Sequence, residues 1–393
     1  MLLIENAKIY TMNGVIHDLG CILIKGKKIL EIADKARILK TDFSSVKRVI
    51  DAKGKFVLPG FIDPHCHVGL YGDSLGFEGE DGNEETDPMT PQLRAIDGIN
   101  FFDRGFKDAR EAGVTTVVTG PGSANVAGGQ FVAIKTCGKK LEEVVLKDPV
   151  AVKIAFGENP KSVYNEKGQT PITRMAVASL LRDALRKAKD YGELLEKYEE
   201  DREENEKPEY DSKSEAFLKV LKKEIPFKAH AHKASDIITA IRLAKEFDID
   251  LTIEHCTDGV LIKDILKDEK IPVIVGPILT DRSKPELINQ SPQTGGILSN
   301  EGILVALMTD HPCVPINYLL LQAAILVKEG MNEMKALEAI TINAAKVCGI
   351  DDRVGSIEPG KDADVVILDG HPFEFKTNVV MTIINGEVVY ERD

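Results

Sequence analysis

The chain has 393 residues, of which 43% are hydrophobic and 29% are charged, and its formal net charge is −13. This composition is that of an ordinary folded protein and excludes a disordered, collagen-like or disulfide-scaffold chain. The excess of acidic residues argues against nucleic acid and against an acidic membrane surface as partners. The length exceeds what one hydrophobic core usually covers, so we expect one large domain and a smaller one.

The sequence carries no signal for export or for membrane insertion. No run approaches the roughly 18–20 apolar residues that a membrane span needs. The first residues lack the basic start, apolar core and cleavage site of a signal peptide. Six cysteines are scattered without a CxxC pair, which favours a reduced compartment over a disulfide framework. We therefore expect a cytoplasmic protein.

Both ends of the chain consist of short strand-like segments. Apolar or alternating stretches broken by Gly, Asn and Asp occupy residues 1–56, and the same pattern occurs in residues 349–393. This pattern predicts one small β-domain, a β-sandwich assembled from both termini. Two separate caps would show the same pattern, so the pairing of the ends stays open at this point.

The middle of the chain, residues 57–348 with the start of its first strand at 56, alternates apolar runs with helical stretches. Near-continuous apolar runs followed by helices predict parallel strands buried on both faces. The clearest helix follows the fifth run, with Ser235 as its expected cap and apolar residues at 237, 241 and 244. There are eight such runs, at 56–63, 114–119, 131–136, 151–156, 225–232, 250–255, 271–276 and 303–310.

Eight strands over this length predict an α/β fold, a closed (β/α)8 TIM-like barrel. The alternative is an open doubly wound sheet, which would need a glycine-rich phosphate turn after its first strand. The chain has DPHCH there, at residues 63–67.

Two segments interrupt the alternation of strands and helices. Residues 177–223 are helical and highly charged, which predicts a solvated excursion, and the acidic loop 73–90 is either a solvated loop or a substrate lid.

Histidines cluster at the ends of the predicted strands. Residues i and i+2 of a strand face the same side, so an HxH pair can direct two imidazoles at one point. Imidazole and carboxylate ligands suit Zn²⁺ and related divalent ions, so this set predicts a metal site. The strand-end residues are His65, His67, His230, His232, His255 and Asp310.

The chain resembles the amidohydrolase superfamily of metal-dependent hydrolases, in its imidazolonepropionase- and dipeptidase-like branch. The residues that carry the resemblance are VLPGFIDPHCH (57–67), KAHAH (228–232), IEH (253–255), LMTD (307–310) and VGSIEPGKDADVVILDG (354–370). The resemblance covers nearly the whole chain, and its first and last motifs are specific. It implies a (β/α)8 barrel beside a β-sandwich from both ends, which agrees with the reading of the strands.

The resemblance also implies a ligand set. His65 and His67 match the metal pair of the first strand, and His255 matches the histidine of the sixth. Asp310 matches the aspartate of the eighth strand, which is both a metal neighbour and a proton shuttle. For the fifth strand His230 is preferred, which leaves His232 to contact the substrate or the reacting oxygen.

Members of the superfamily with two metals use a bridging ligand from the fourth strand. Here that strand offers Lys153, in the position of carboxylated lysines, and Glu158, where deacetylase-like members have a glutamate. A lysine carbamate must start deeper in the barrel than a glutamate, and both positions satisfy that rule. We prefer Glu158 without excluding Lys153. We expect the cofactor to be a divalent metal, with zinc as the preferred candidate and one or two ions per chain.

The implied function is hydrolysis of an amide, cyclic amide or dipeptide-like C–N bond of a small molecule by metal-activated water, in a homo-oligomer. One alternative is a metal-dependent deaminase of a small heterocycle. Such enzymes usually carry a glutamate three residues after the fifth-strand histidine, where this chain has Lys233. A catalytically inactive scaffold of the same fold is the other alternative. Lys161, Arg174 and Arg282 are candidates to bind a substrate carboxylate.

Overall fold

In the computed structural model, which describes residues 1–34, 46–72, 76–138 and 140–392, the chain begins with five strands that belong to one sheet. β2 pairs antiparallel with both β1 and β3, and β1 pairs parallel with β4 and β5. Ile22 and Ile24 pack into one buried cluster and Cys21 and Leu23 into another, because successive side chains of a strand face opposite sides. These strands are β1 (Leu2–Tyr10), β2 (Ile16–Lys25), β3 (Lys28–Asp34), β4 (Arg48–Asp51) and β5 (Phe56–Pro59).

The next eight strands form the barrel and lie beside one another in chain order. Backbone hydrogen bonds join its first and last members: the His67 N–H donates to the His311 carbonyl at 2.9 Å, and the Asp310 N–H donates to the His65 carbonyl at 3.3 Å. The strands are β6 (Phe61–Cys66), β7 (Val114–Thr119), β8 (Ala127–Lys135), β9 (Val145–Ala155), β10 (Phe227–Ala231), β11 (Leu251–His255), β12 (Val273–Val275) and β13 (Val305–Leu307). The predicted barrel is confirmed.

The third barrel strand departs from the parallel arrangement that we expected. β8 runs antiparallel to both β7 and β9. The reason lies in its connections, because residues 120–126 link β7 to β8 without a helix, whereas a parallel crossover needs about a dozen residues or more. All residues of β7 and β8 are buried, so an apolar run alone does not reveal strand direction.

The last three strands complete the sheet of the N-terminal strands. β14 (Val365–Leu368) pairs antiparallel with β5, and β15 (Val379–Ile384) and β16 (Glu387–Glu391) extend the same edge. The prediction that both ends of the chain build one β-domain is confirmed, and its strands form one eight-stranded mixed sheet. The exact domain boundaries, 1–56 with 349–393 against 57–348, stay a prediction.

Helices cover the barrel between its strands. No helix in the described ranges is long and apolar enough to cross a membrane. The longest, α4, belongs to the charged segment predicted as a solvated excursion, but Leu181, Leu185 and Ala188 make a stripe on it that is buried. The helices are α1 (Arg104–Glu111), α2 (Leu141–Val144), α3 (Glu158–Glu166), α4 (Arg174–Glu200), α5 (Ser212–Leu221), α6 (Ala234–Phe247), α7 (Lys263–Asp268), α8 (Gln293–Asn300), α9 (Leu319–Lys328), α10 (Glu333–Ala339) and α11 (Ile342–Val347).

Helix α6 follows the fifth strand as predicted, but its cap differs from the prediction. The predicted core positions Ile237, Ile241 and Ala244 are all buried. Ser235 lies inside the first turn and is not the cap. The capping acceptor comes from another loop, because the Asp258 carboxylate accepts the Ala234 N–H at 3.1 Å. A cap supplied from a distant segment cannot be read from local sequence.

A buried ion cluster joins the barrel to the terminal sheet. Lys135, at the end of β8, is fully buried, and its ammonium pairs with Asp364 and, at 3.0 Å, with Asp362. Asp362 also pairs with Lys28 at 2.7 Å and with Arg353 at 2.8 Å. Burial disfavours the charge on Asp362, yet these cations hold the pKa of its carboxyl below the ordinary range. The motif at 354–370 thus contributes two carboxylates to the interface.

Candidate metal centre

The predicted strand-end residues meet around one cavity. His65 and His67 come from the end of β6, His230 and His232 from the end of β10, and His255 ends β11. Four of them, all but His65, line a cavity of about 390 Å³ at the carboxyl ends of the strands. Asp310, three residues beyond β13, lines the same cavity. The carboxyl ends of the barrel strands therefore form the candidate site.

The six side chains divide into two neighbouring groups. In each group the potential ligand atoms lie within 4.8 Å of one another. In one of them the Oδ1 of Asp310 is 3.2 Å from the Nε2 of His67 and 3.5 Å from the Nε2 of His65. The groups are His65, His67 and Asp310, and His230, His232 and His255.

Each of the five imidazoles has its Nδ1 engaged by a hydrogen-bond partner. Where that partner is a backbone carbonyl, Nδ1 must donate, so the neutral ring keeps a lone pair on Nε2. Metal-binding histidines use this arrangement to fix ring orientation and tautomer. The contacts are His65 with Glu254 (2.6 Å), His67 with the Gly120 carbonyl (2.7 Å), His230 with Ser123 (3.0 Å), His232 with Thr257 (2.8 Å) and His255 with the Gly276 carbonyl (2.9 Å).

Burial favours the neutral form of four of these rings. Loss of solvent lowers the pKa of His65, His230 and His232 well below the ordinary range and that of His255 to about 3. Neutral imidazole is the form that binds a metal. For Asp310, burial acts against ionisation, but the close contact with the His67 ring and the other adjacent imidazoles hold the pKa of its carboxyl below the ordinary range. Neutral nitrogens and one carboxylate fit a divalent cation.

Two of these residues have strained backbones. His255 has φ of 68° and Asp310 has φ of 53°, in the left-handed region that residues with a Cβ rarely adopt. Such conformations persist where the surrounding structure imposes them, and they concentrate at functional sites. Here they turn the chain sharply at the ends of the sixth and eighth barrel strands, where both side chains line the cavity.

The two candidates for the bridging ligand lie in different surroundings. Lys153, on β9, is fully buried, and its Nζ is 3.1 Å from the Nε2 of His65. Burial lowers the pKa of Lys153 to about 8. Glu158 begins α3, is half-buried, and its side chain belongs to neither group of potential ligands. Only Lys153 therefore contacts the predicted ligands directly.

The predicted carboxylate-binding residues lie outside the cavity wall. Arg174 pairs with Asp236 at 2.8 Å, Arg282 is exposed and bonds the Gln290 carbonyl, and Lys161 does not line the cavity. The cation in the wall is Lys284, held by Asn159 at 2.6 Å. It lies in a polar loop after β12 where no periodicity marks it, so the sequence analysis missed it.

The acidic loop lies mostly beside the cavity rather than in it. Residues 73–75 of the predicted 73–90 segment are outside the described ranges. Of the rest, Asn83 lines the cavity, together with Tyr71 from just before the segment. Glu80, Glu84 and Glu85 line a neighbouring depression. The described acids of this loop therefore do not face the candidate metal ligands.

Comparison with known proteins agrees with this geometry. A solved structure of an amidohydrolase from Thermotoga maritima MSB8 is 42% identical, covers both chains fully and has a TM-score of 0.95. The amidohydrolase tasK of Hapsidospora irregularis is 26% identical over 95% of this chain, which spans 40% of that relative. An imidazolonepropionase of Caldanaerobacter subterraneus subsp. tengcongensis is 26% identical over 93% of this chain and 89% of its own length.

The model of the amidohydrolase family matches residues 56–389, and the chain belongs to that family. The resemblance seen in the sequence is thereby confirmed, and so is the enzyme class, a hydrolase acting on carbon–nitrogen bonds. Amidohydrolases are generally metal-dependent, and the two groups of histidines and aspartate are suited to bind metal.

Proposed function

We propose that the protein hydrolyses an amide, cyclic amide or dipeptide-like C–N bond of a small molecule. The reaction would use one or two divalent metal ions per chain, and zinc is the preferred candidate. The observation that carries the proposal is the set of five imidazoles, four of which line one cavity, each with Nδ1 engaged and Nε2 left as a potential ligand atom. His65, His67, His230, His255 and Asp310 would bind the metal. The cytoplasmic location and homo-oligomeric state stay predictions.

A divalent metal supplies the lowered pKa of water and the polarised carbonyl that amide hydrolysis needs at neutral pH. The residues of the chain contribute the proton transfers. Asp310, kept ionised by its neighbours, accepts the proton of the attacking water and delivers it to the departing nitrogen. An amine leaves readily only when protonated, so this second transfer is essential.

A deaminase is the second candidate, and the surroundings of the fifth strand weigh against it. Lys233, in the position where deaminases of this superfamily carry a glutamate, precedes α6 and has its ammonium 4.0 Å from Asp258. The chain therefore lacks, at this position, the carboxylate that those enzymes use as proton donor. A hydrolysis screen that finds no substrate, together with ammonia release from a heterocycle, would favour this candidate.

Removing His65 and His67 together should remove the ion that these two residues would bind while the barrel stays folded. Both imidazoles lie at the rim, and the remaining group cannot replace them for that ion. Metal analysis of the pure wild type and of the His65→Ala/His67→Ala variant checks this, with circular dichroism as the folding control. A screen of lactams, N-acyl amino acids and dipeptides then tests activity. Full metal content in the double variant would contradict the assignment.

The bridging ligand has a test of its own. We propose Lys153 over Glu158, reversing our preference from sequence, because its Nζ lies 3.1 Å from the Nε2 of His65. Lys153→Ala should lose one ion, and refolded wild type should need bicarbonate for full activity. Glu158→Gln should keep both ions. The opposite outcome would assign the bridge to Glu158, and two unaffected variants would indicate a single ion.

A further inference from the structure

Glu286 is a buried carboxylate in the loop between β12 and β13. It lies on the short 3-10 turn Pro285–Leu287 and is 2% exposed. One oxygen, Oε2, accepts the backbone N–H of Glu158 at 3.0 Å. The other, Oε1, is buried and has no hydrogen-bond partner among the described residues. An unpaired buried carboxylate oxygen is costly, so its retention indicates a missing partner.

The unpaired oxygen faces two histidines of the candidate metal centre. Oε1 lies 3.7 Å from the Nε2 of His232 and 4.0 Å from the Nε2 of His230. These distances are too long for hydrogen bonds. Two ligands of a tetrahedral zinc ion, with bonds of about 2.0–2.1 Å, lie about 3.3–3.4 Å apart. The distances from Oε1 to the two histidine nitrogens are therefore only slightly longer than the distance between two ligand atoms of one zinc ion.

The Nε2 atoms of His230 and His232 are also available to bind an ion. The Nε2 of His230 is itself buried without a hydrogen-bond partner in the described part of the chain. The Nδ1 of His232 is already engaged by Thr257, so its Nε2 is the atom that points to Glu286. Three imidazoles and one carboxylate form a complete tetrahedral ligand set for a divalent transition metal.

We propose that Glu286 binds a divalent cation together with His230, His232 and His255, as a carboxylate ligand provided by the loop after the seventh barrel strand. The set inferred from the sequence has one histidine from the fifth strand and nothing from the seventh, so Glu286 and His232 are additions to it. The inference rests on the proposed metal centre. It also ties residues 276–292, which form one wall of the cavity, to occupancy of the ion.

The test uses Zn²⁺ and Co²⁺ with the full-length protein. Glu286→Gln keeps an acceptor for the Glu158 N–H but removes the anionic ligand. Its affinity for one Zn²⁺ should fall by at least about 10-fold, the lower end of the loss for groups that merely support ligands. The visible bands of the Co²⁺-loaded protein should change as well. Asp281→Asn likewise replaces a carboxylate by an amide, but at an exposed position of the same loop, and it should alter neither measurement.

A second measurement follows the loop itself. Arg282 is exposed and precedes serine, so trypsin can cut there, whereas the bond after Lys284 is followed by proline. Zn²⁺ should protect this site in the wild type and in Asp281→Asn, and much less in Glu286→Gln. If Glu286→Gln does not fold, His232→Ala takes its place, with the same loss of affinity and protection expected.

The outcomes separate this inference from the proposed function. If the wild type binds Zn²⁺ but Glu286→Gln binds it with unchanged affinity, Co²⁺ spectrum and protection, Glu286 is not a ligand and the proposed metal centre stands. If the wild type binds no divalent metal, the metal centre itself is wrong and this inference is overturned with it. A loss of affinity in Asp281→Asn equal to that in Glu286→Gln would assign the effect to loop charge alone and would overturn the ligand role.

Discussion

Replacing Asp310 by asparagine should lower turnover by more than about 10²-fold, the lower end of the contribution of general acid–base catalysis. The amide cannot take the proton of the attacking water, but it matches the carboxylate in size. The fold and at least part of the metal content should therefore remain. The measurement is kcat on the best C–N substrate from the screen, with metal analysis of the same preparation.

The control for this variant is Asp352→Asn, which makes the same change at an exposed position away from the cavity. It should keep wild-type turnover. Near-full turnover in Asp310→Asn would show that another group carries the proton. The next residue to test would then be His232, whose Nε2 lies at the same rim and whose Nδ1 is hydrogen-bonded to Thr257.

Replacing Lys135 by methionine should destabilise the protein by about 3–5 kcal/mol, the usual cost of removing one partner from a buried ion pair. Methionine fills the space of the lysine stem, so the loss isolates the charge. The reason is that Asp364 loses its cation and Asp362 keeps only Lys28 and Arg353. Urea unfolding gives the change in free energy.

Lys107→Met is the matched control for the buried pair. Lys107 forms an exposed ion pair with Glu111 at 3.6 Å, one helical turn away. Exposed pairs contribute about 0–1 kcal/mol, so this variant should unfold at nearly the wild-type urea concentration. An equally small change in Lys135→Met would mean that water or rearrangement compensates the two carboxylates, and that the cluster does not stabilise the interface.

Strand location could be predicted from the sequence, whereas strand direction could not. All eight apolar runs lie in or overlap barrel strands, because burial on both faces leaves a continuous apolar signature. That signature is the same for either direction, so the antiparallel β8 was missed. The short connection 120–126 carried the necessary information, since it cannot contain a crossover. The α6 cap was missed because Asp258 belongs to a distant loop.

The candidate site follows the same division. Five histidines and Asp310 could be brought together from sequence because the ends of neighbouring strands necessarily meet at one rim. Lys284 and Glu286 could not, because their positions depend on the path of an irregular loop after β12. The choice between Lys153 and Glu158 needed side-chain distances, since both positions satisfy the length rule that the sequence offers.

The sheet shared by both ends of the chain has a consequence for synthesis on the ribosome. β5 can pair with β14 only after the roughly 300 residues between them have been made, which takes about 15–60 s at about 5–20 residues per second. During that interval the growing chain presents the β5 edge and the Lys135 ammonium without their C-terminal partners. Exposed strand edges recruit other chains. Nascent chains stalled before residue 365 should therefore aggregate or bind chaperones more readily than chains in which β14 has emerged from the ribosome.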